Sequence, residues 1–334
     1  MNLGIIGFGY WGANLVSNFA SLREVNLKTV VDTREGRKEA LSKICPSAVF
    51  STSPEKLIED PEIDAVVIAT PVSSHFEFAL KSLRNNKHVL IEKPMTSSTE
   101  EAMILIDLAE KKKKVLMVDH TFLYTGAVQK MKSLIENGDI GNIKYFDSTR
   151  INLGLFQKDI NVLWDLAPHD ISILNLLVSE KPYSVNAYGV SHTNNGIENI
   201  AYINMNYDSG FIAHFSCSWS SPVKIRMMLI GGDKRMIVFN DVEPTEKIKV
   251  YDTGYDHKTD EDKNKILVDY RTGDIYTPKI DQNEALSGMA KDFISAVLNG
   301  HKPLSDHDSG LKVVKILEAS QYSIKNKGKE VLVQ

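Results

Sequence analysis

The sequence predicts an α/β protein of two domains: a doubly wound parallel sheet, then an α+β domain with a large, mainly antiparallel sheet. Two observations carry that prediction. In the first third, short and almost wholly apolar runs alternate with helical patterns; such runs are strands covered on both faces. From about Tyr124 the rhythm changes, and strands follow one another with turn signals between them. Right-handed crossovers turn the first pattern into a doubly wound sheet. The expected boundary sets residues 1–120 as the first domain and residues 121–334 as the second.

The first strand is Leu3-Gly4-Ile5-Ile6-Gly7 and the second Lys28-Thr29-Val30-Val31-Asp32. Ala65 to Thr70, His88 to Glu92 and Val115 to Asp119 are three more. Helical patterns at Ala13–Ser21, Ser74–Asn85 and Ser98–Lys113 lie between them. In the second part a helix, about 125–137, precedes a strand over Ile143–Leu153 and a helix over about Ala167–Val178. Strands then run over Tyr183–Val190, Ile197–Asn206, Gly210–Ser218, Lys224–Ile230 and Arg235–Asn240. Their turns are Asn194-Asn195-Gly196, Asp208-Ser209-Gly210 and Gly231-Gly232-Asp233. Two helices, about Asn283–Asn299 and Asp306–Asn326, close the chain. Lys111 to Lys114 ends a helix, where cations meet the negative end of its dipole, and the mixed-sign segment from Asp256 to Lys265 is expected to be a solvated loop.

The chain has 334 residues, 39 Lys and Arg against 43 Asp and Glu, and a formal charge of −4. That balance argues against nucleic-acid binding by bulk electrostatics. No basic n-region with a following apolar stretch opens the chain, and no window nears the roughly 18 apolar residues of a membrane span. The two cysteines, Cys45 and Cys217, cannot form a disulfide framework and fit reduced thiols of a cytoplasmic protein. The nine histidines are scattered and no cysteine pair has ligand spacing, so no metal site is expected.

Gly7-Phe8-Gly9-Tyr10-Trp11-Gly12 is a G-x-G-x-x-G that follows a strand and opens a helix, and Asp32 ends the next strand 20 residues beyond Gly12. This is the Rossmann fingerprint. Gly7 permits the tight turn, Gly9 lets the backbone approach a pyrophosphate, and Gly12 lets helix and strand pack closely. Phe8, Tyr10 and Trp11 complete the cradle, whose helix N-terminus favours phosphate. The Asp32 carboxylate suits the adenosine ribose hydroxyls and repels a 2′-phosphate, which favours NAD over NADP. Thr33 and Arg34 stand beside it; Arg34 and Arg37 are the residues that would suit NADP instead.

Ile91-Glu92-Lys93-Pro94-Met95, at the end of the fourth strand, resembles the Glu-Lys-Pro signature of the glucose–fructose oxidoreductase/inositol dehydrogenase/rhizopine catabolism (Gfo/Idh/MocA) family. Ala69-Thr70-Pro71 with His75 is similar to that family's segment near the cofactor. Asp165-Leu166-Ala167-Pro168-His169-Asp170 is similar to its Asp-x-x-x-His helix start. The resemblance implies NAD contacts by Ala69, Thr70, Pro71, His75, Glu92 and Lys93, and catalysis by Lys93 and His169 with Asp165. The chemistry agrees. An ammonium at the end of a parallel strand lies where such sheets keep their ligand crevice, and it can stabilise a developing alkoxide.

On a helix Asp165 and His169 share a face, and a histidine near neutrality can remove a hydroxyl proton. Asp165 could instead be a plain N-cap, or Asp170 the partner of His169. Arg150 and Asn152, one alternation apart on a strand, are candidate substrate contacts, as are His120, Tyr124 and Trp164. For Arg150 and Asn152 the alternative reading is an exposed sheet edge, for His120 a satisfied buried histidine, and for Tyr124 and Trp164 packing. Many members carry an Arg after the fifth strand, where this chain reads His120-Thr121-Phe122-Leu123-Tyr124. Many also have glycines around Asp-x-x-x-His, where it has Trp164, Ala167 and Pro168.

Trp164 to Asp170 looks like the subgroup of surface-polysaccharide and nucleotide-sugar pathways. The resemblance therefore implies hydride transfer between nicotinamide and a secondary ring hydroxyl of a sugar or nucleotide sugar, by a homodimer or homotetramer. The alternatives are an inositol or simple-sugar dehydrogenase, a glycosidase that retains its NAD, and a noncatalytic NAD-binding protein.

Overall fold

The computed structural model describes residues 1–154, 156–193, 195–256 and 269–333. The chain divides into two compact units. One is Met1–Tyr124 with Asn283–Glu318, the other Thr125–Gln282 with Ala319–Gln334. The expected boundary at residue 120 falls near the first division. The expectation that all of 121–334 forms one domain is corrected, because residues Asn283–Glu318 return to the first unit. The reason is apolar: Leu286, Met289, Ala290, Phe293 and Ile294 share one buried core with Leu3, Ile5, Phe8, Leu15 and Phe19. Phe19 and Phe293 meet edge to face at 6.3 Å.

The first unit holds a sheet of six parallel strands: β1 (Asn2–Ile6), β2 (Asn26–Val31), β3 (Val49–Ser51), β4 (Ala65–Ile68), β5 (His88–Glu92) and β6 (Leu116–Asp119), in the order β3-β2-β1-β4-β5-β6. Helices α1 (Tyr10–Ala20), α2 (Lys38–Ile44), α3 (Pro54–Glu59), α4 (His75–Arg84) and α5 (Thr99–Lys112) connect them, and the returning segment adds α8 (Ala285–Asn299). Every residue of β4 and β6 is buried, as a doubly covered parallel sheet requires. Strand order reverses between β1 and β4, so the ligand crevice of this fold lies at their C-terminal ends. The three-residue β3 carries too few side chains to give a strand pattern in sequence.

The second unit holds a sheet of nine strands: β7 (Ile143–Leu153), β8 (Ser184–Val190), β9 (Ile200–Asn206), β10 (Ile212–Ser218), β11 (Ser220–Gly232), β12 (Met236–Asn240), β13 (Ile248–Asp256), β14 (Asp269–Tyr276) and β15 (Val331–Leu332). They lie in the order β14-β13-β12-β11-β7-β10-β9-β8-β15. Among the described residues, the one parallel pairing in this sheet is β7 with β10. Helices α6 (Gly126–Glu136) and α7 (Val162–Leu177) belong to this unit, and α9 (His307–Lys325) is shared between the two. Along β9 and β10 burial alternates. Ala201, Ile203, Met205, Ala213, Phe215 and Cys217 are buried, while Tyr202 and Ile212 are exposed. One sheet face is covered and the other bare.

The expected strand run ends at Asn240, yet β13, β14 and β15 continue the sheet. The signal for β13 was present: Ile248 and Val250 are buried and alternate with Lys249 and Tyr251. α7 starts at Val162, five residues before the expected start, with the Asn161 side chain capping Trp164 N–H. Asn194 of the first turn and residues 257–265 of the expected solvated loop lie outside the described residues; Asp256 itself ends β13. Both cysteines are buried free thiols. Among the described residues no helix is long and apolar enough to cross a membrane, and no cluster of His, Cys, Asp or Glu is arranged to hold a metal ion.

Candidate functional site

The glycine turn between β1 and α1 has the form its spacing implies. Gly7 takes φ +98°, and a Cβ there would lie 2.3 Å from Ala69 O, so only glycine fits. A Cβ on Gly12 would lie 2.0 Å from Gly7 O, whereas one on Gly9 meets nothing within 4 Å. Gly7 and Gly12 thus serve the turn itself, and Gly9 keeps backbone open toward solvent. α1 starts from Gly9 without a side-chain cap and without an acidic residue in its first turn, leaving its N–H groups and dipole to an anion. This cradle fits a pyrophosphate. Tyr10 and Trp11 are exposed at its rim, while the Phe8 ring is core and offers only its backbone.

Asp32 is buried at the end of β2. Its Oδ2 accepts from Phe8 N–H at 3.0 Å, tying strand to turn. Arg34 grips the same carboxylate from Nε at 2.8 Å, from Nη2 at 2.9 Å and from its backbone N–H at 2.9 Å. The Arg34 hydrogen bonds hold the carboxyl down at about 2. Thr33 is exposed beside it. Ala69 and Thr70 are half-buried and Pro71 exposed. His75 is wholly buried, with Nδ1 2.9 Å from Pro94 O and Nε2 2.8 Å from Thr70 O. It braces two loops.

Lys93 follows β5, half-buried, and its peptide to Pro94 is cis. Glu92 points inward: its carboxyl is buried and Oε2 accepts from Lys93 N–H at 3.1 Å, so it supports the turn where a cofactor contact was expected. Next to it, at the end of β6, His120 is buried with neither ring nitrogen hydrogen-bonded among the described residues. Burial, with the Lys93 charge second, pushes its imidazole down to about 3, so it is neutral. Tyr124 is half-buried. Its hydroxyl donates to Asp292 Oδ2 at 2.7 Å and lies 3.0 Å from Ser305 Oγ, and burial raises its pKa. The ring pins α8 to the first unit.

In the second unit, Asp165 and His169 lie one turn apart on α7, both half-buried. Because Asn161 is the cap, Asp165 is not, and Pro168 lies inside the helix rather than in its first turn. Asp165 Oδ2 accepts from Trp219 Nε1 at 3.0 Å. Arg150, a candidate substrate contact in the sequence, is turned into the sheet's covered face. Arg150 and Asp170 are buried together, side chains 3% exposed each, with Nε 2.9 Å from Asp170 Oδ1 and Ser148 Oγ donating to Oδ2 at 2.7 Å. Asp170 is thereby committed to the sheet. Asn152 is half-buried further along β7, and Trp164 is buried.

The family model of an oxidoreductase family with an NAD-binding Rossmann fold, Gfo/Idh/MocA, matches residues 1–120, and that of the Gfo/Idh/MocA C-terminal domain matches residues 128–238. The chain belongs to the Gfo/Idh/MocA family. A relative from Acidithiobacillus ferrooxidans, UDP-N-acetylglucosamine 3-dehydrogenase, is 30% identical over 65% of this chain and 67% of its own length. The scyllo-inositol 2-dehydrogenase (NAD(+)) of Bacillus subtilis is 27% identical over 71% of this chain and 72% of its own. The solved structure of the Acidithiobacillus enzyme matches with a TM-score of 0.80 at 25% identity, covering 98% of each chain.

Within this Gfo/Idh/MocA chain, the first unit brings together the Gly7–Gly12 turn, Asp32, Ala69 and Thr70 at the strand ends of a NAD-binding Rossmann domain. The second places Asp165 and His169 on one helix face. Arg150, Tyr124 and His75 are engaged in hydrogen bonds and the Phe8 ring in the core. Sequence reasoning passed over Trp219, which holds Asp165, and Asp119, the partner of Glu92. Asp119 did carry a signal, a carboxylate closing an otherwise apolar strand.

Proposed function

We propose that the protein transfers hydride between a secondary ring hydroxyl of a sugar or nucleotide sugar and the nicotinamide of NAD, giving a ketosugar or running the reverse ketoreduction. The observation that carries this is Lys93 at the end of β5, in the unit that holds the Gly7–Gly12 cradle and Asp32. The similarity to UDP-N-acetylglucosamine 3-dehydrogenase tilts the substrate toward a nucleotide sugar. Bound NAD supplies the hydride acceptor at nicotinamide C4. His169 takes the hydroxyl proton, Lys93 donates a hydrogen bond to the same oxygen as it gains charge, and Asp165 orients the imidazole or holds a second hydroxyl.

The similarity to scyllo-inositol 2-dehydrogenase supports a second reading, oxidation of a cyclitol. The bare sheet face, with Tyr188, Tyr202 and Ile212 exposed, supports a homodimer or homotetramer. The two free cysteines suit the cytoplasm.

The test is NADH appearance on mixing protein and NAD with UDP-sugars, free sugars and inositols. We expect turnover with a UDP-sugar, lost by a factor on the order of 100 or more in Lys93→Ala. Turnover with inositols alone selects the second reading. A panel silent in both directions, or an active Lys93→Ala variant, overturns the proposal.

A further inference from the structure

β5 and β6 end side by side, and their last residues, Glu92 and Asp119, are register partners. Side chains at one level of neighbouring parallel strands leave the sheet on the same face, so two carboxyl groups meet there, both buried. Asp119 Oδ1 accepts from Thr121 Oγ1 at 2.5 Å. Its Oδ2 is buried with no N–H or O–H partner among the described residues. Two carboxyl groups side by side and out of water cannot both ionise, so one of them keeps a proton.

Burial, then the neighbouring carboxyl charge, pushes Glu92 well above the usual range; burial raises Asp119 too, while the Thr121 hydrogen bond opposes it. Glu92 therefore holds the proton and Asp119 the charge, and the two titrate as a unit. The facing charge is Lys93, which acts on both carboxyls and on the neutral His120. Around them, Asp306 of the segment bridged to β6 is spent on Lys302 and Ser309 N–H, and His75 of α4 on two carbonyls.

We propose that Glu92 and Asp119 are a positioning pair for Lys93: one shared proton leaves one negative charge beside its ammonium, and the Glu92 carboxyl fixes its backbone. The inference rests on reading Lys93 as the group that meets the substrate hydroxyl. A shared charge makes a particular pattern. Glu92→Gln and Asp119→Asn each leave one carboxyl that can carry the charge, hydrogen-bonded by the introduced amide. Glu92→Gln with Asp119→Asn keeps a hydrogen bond and loses the charge.

The experiment compares the three variants with the full-length wild type, using the substrate found above. Each single variant is expected to lower kcat less than tenfold. The double variant should lose about a hundredfold, more than the product of the two. Its KM for NAD should stay within about twofold. Its thermal midpoint should equal or exceed that of the wild type, since a buried charge is gone. Infrared difference spectra at pH 7 should show the carbonyl band of a protonated carboxyl in the wild type and none in Glu92→Gln.

A double variant within tenfold of wild type, multiplicative losses, or a missing band overturns the pair. If the wild type turns over nothing, the function fails, and the band with its loss in Glu92→Gln still decides the shared proton.

Discussion

Two arginine–aspartate pairs in this chain show how location decides what an ion pair is for. Arg34 and Asp32 close the end of β2, with the Arg34 side chain 57% exposed over a nearly buried carboxylate. Arg150 and Asp170 join β7 to α7 with both side chains 3% exposed. The first guanidinium is held on one side and solvated on the other, so it can let go of Asp32 at small cost. The second has no water to return to. The outer pair suits a site that must exchange a partner, and the inner one fixes a helix against a sheet.

The largest effect expected from that contrast is on the inner pair. Asp170→Ala removes the carboxylate that holds the Arg150 charge in the covered face of the sheet, and takes the acceptor from the Ser148 hydroxyl. It should lower the unfolding free energy by about 3–5 kcal/mol in urea titrations. Replacing both, as Arg150→Met with Asp170→Leu, should restore most of the loss, because the cost lies in a buried charge deprived of its carboxylate. A single variant that loses less than about 1 kcal/mol would show that α7 is held by its apolar side chains alone.

The glycine turn next to the outer pair gives a smaller and divided effect. Gly12→Ala puts a Cβ 2.0 Å from Gly7 O, while Gly9→Ala puts one in open space. Gly12→Ala should therefore cost roughly 1–3 kcal/mol of stability, as overpacked sites do. Gly9→Ala should stay within about 0.5 kcal/mol yet weaken NAD at least tenfold in calorimetric titration. Equal losses of stability in the two would mean that the turn tolerates no side chain anywhere, whatever it binds.

That division explains which parts of the molecule were legible in sequence. The turn was, because its glycines are dictated by local backbone and by contacts a few residues away: positive φ at Gly7, close approach at Gly12. The parallel strands were, because burial on both faces leaves them almost wholly apolar. What could not be read is where long-range packing chooses between equal chemistries. Asp165 and Asp170 are both acids near His169. Nothing local says that Trp219 takes one and Arg150 the other. Tyr124 has the composition of a pocket residue, and only the return of α8 with Asp292 makes it an anchor. The same return broke the expected domain boundary, because Phe293 reaches a core built some 270 residues earlier in the chain.

The outer pair itself should give the smallest effect, and its sign follows from the carboxyl. The folded Asp32 carboxyl lies at about 2 against an ordinary 3.8, with the Arg34 side chain the largest cause. A depressed carboxyl adds stability that is fully present above the ordinary value and disappears as pH falls through the folded one. The wild type should therefore lose this increment between about pH 4 and pH 2. In Arg34→Ala the loss over that window should be smaller, since the first cause of the depression is gone. At pH 7, where an exposed guanidinium is screened, the substitution should cost no more than about 1 kcal/mol. Thermal unfolding of both proteins at pH 7, 4 and 3 separates the terms. Parallel curves across that window would mean that the Phe8 and Arg34 backbone N–H groups, not the guanidinium, hold the Asp32 charge.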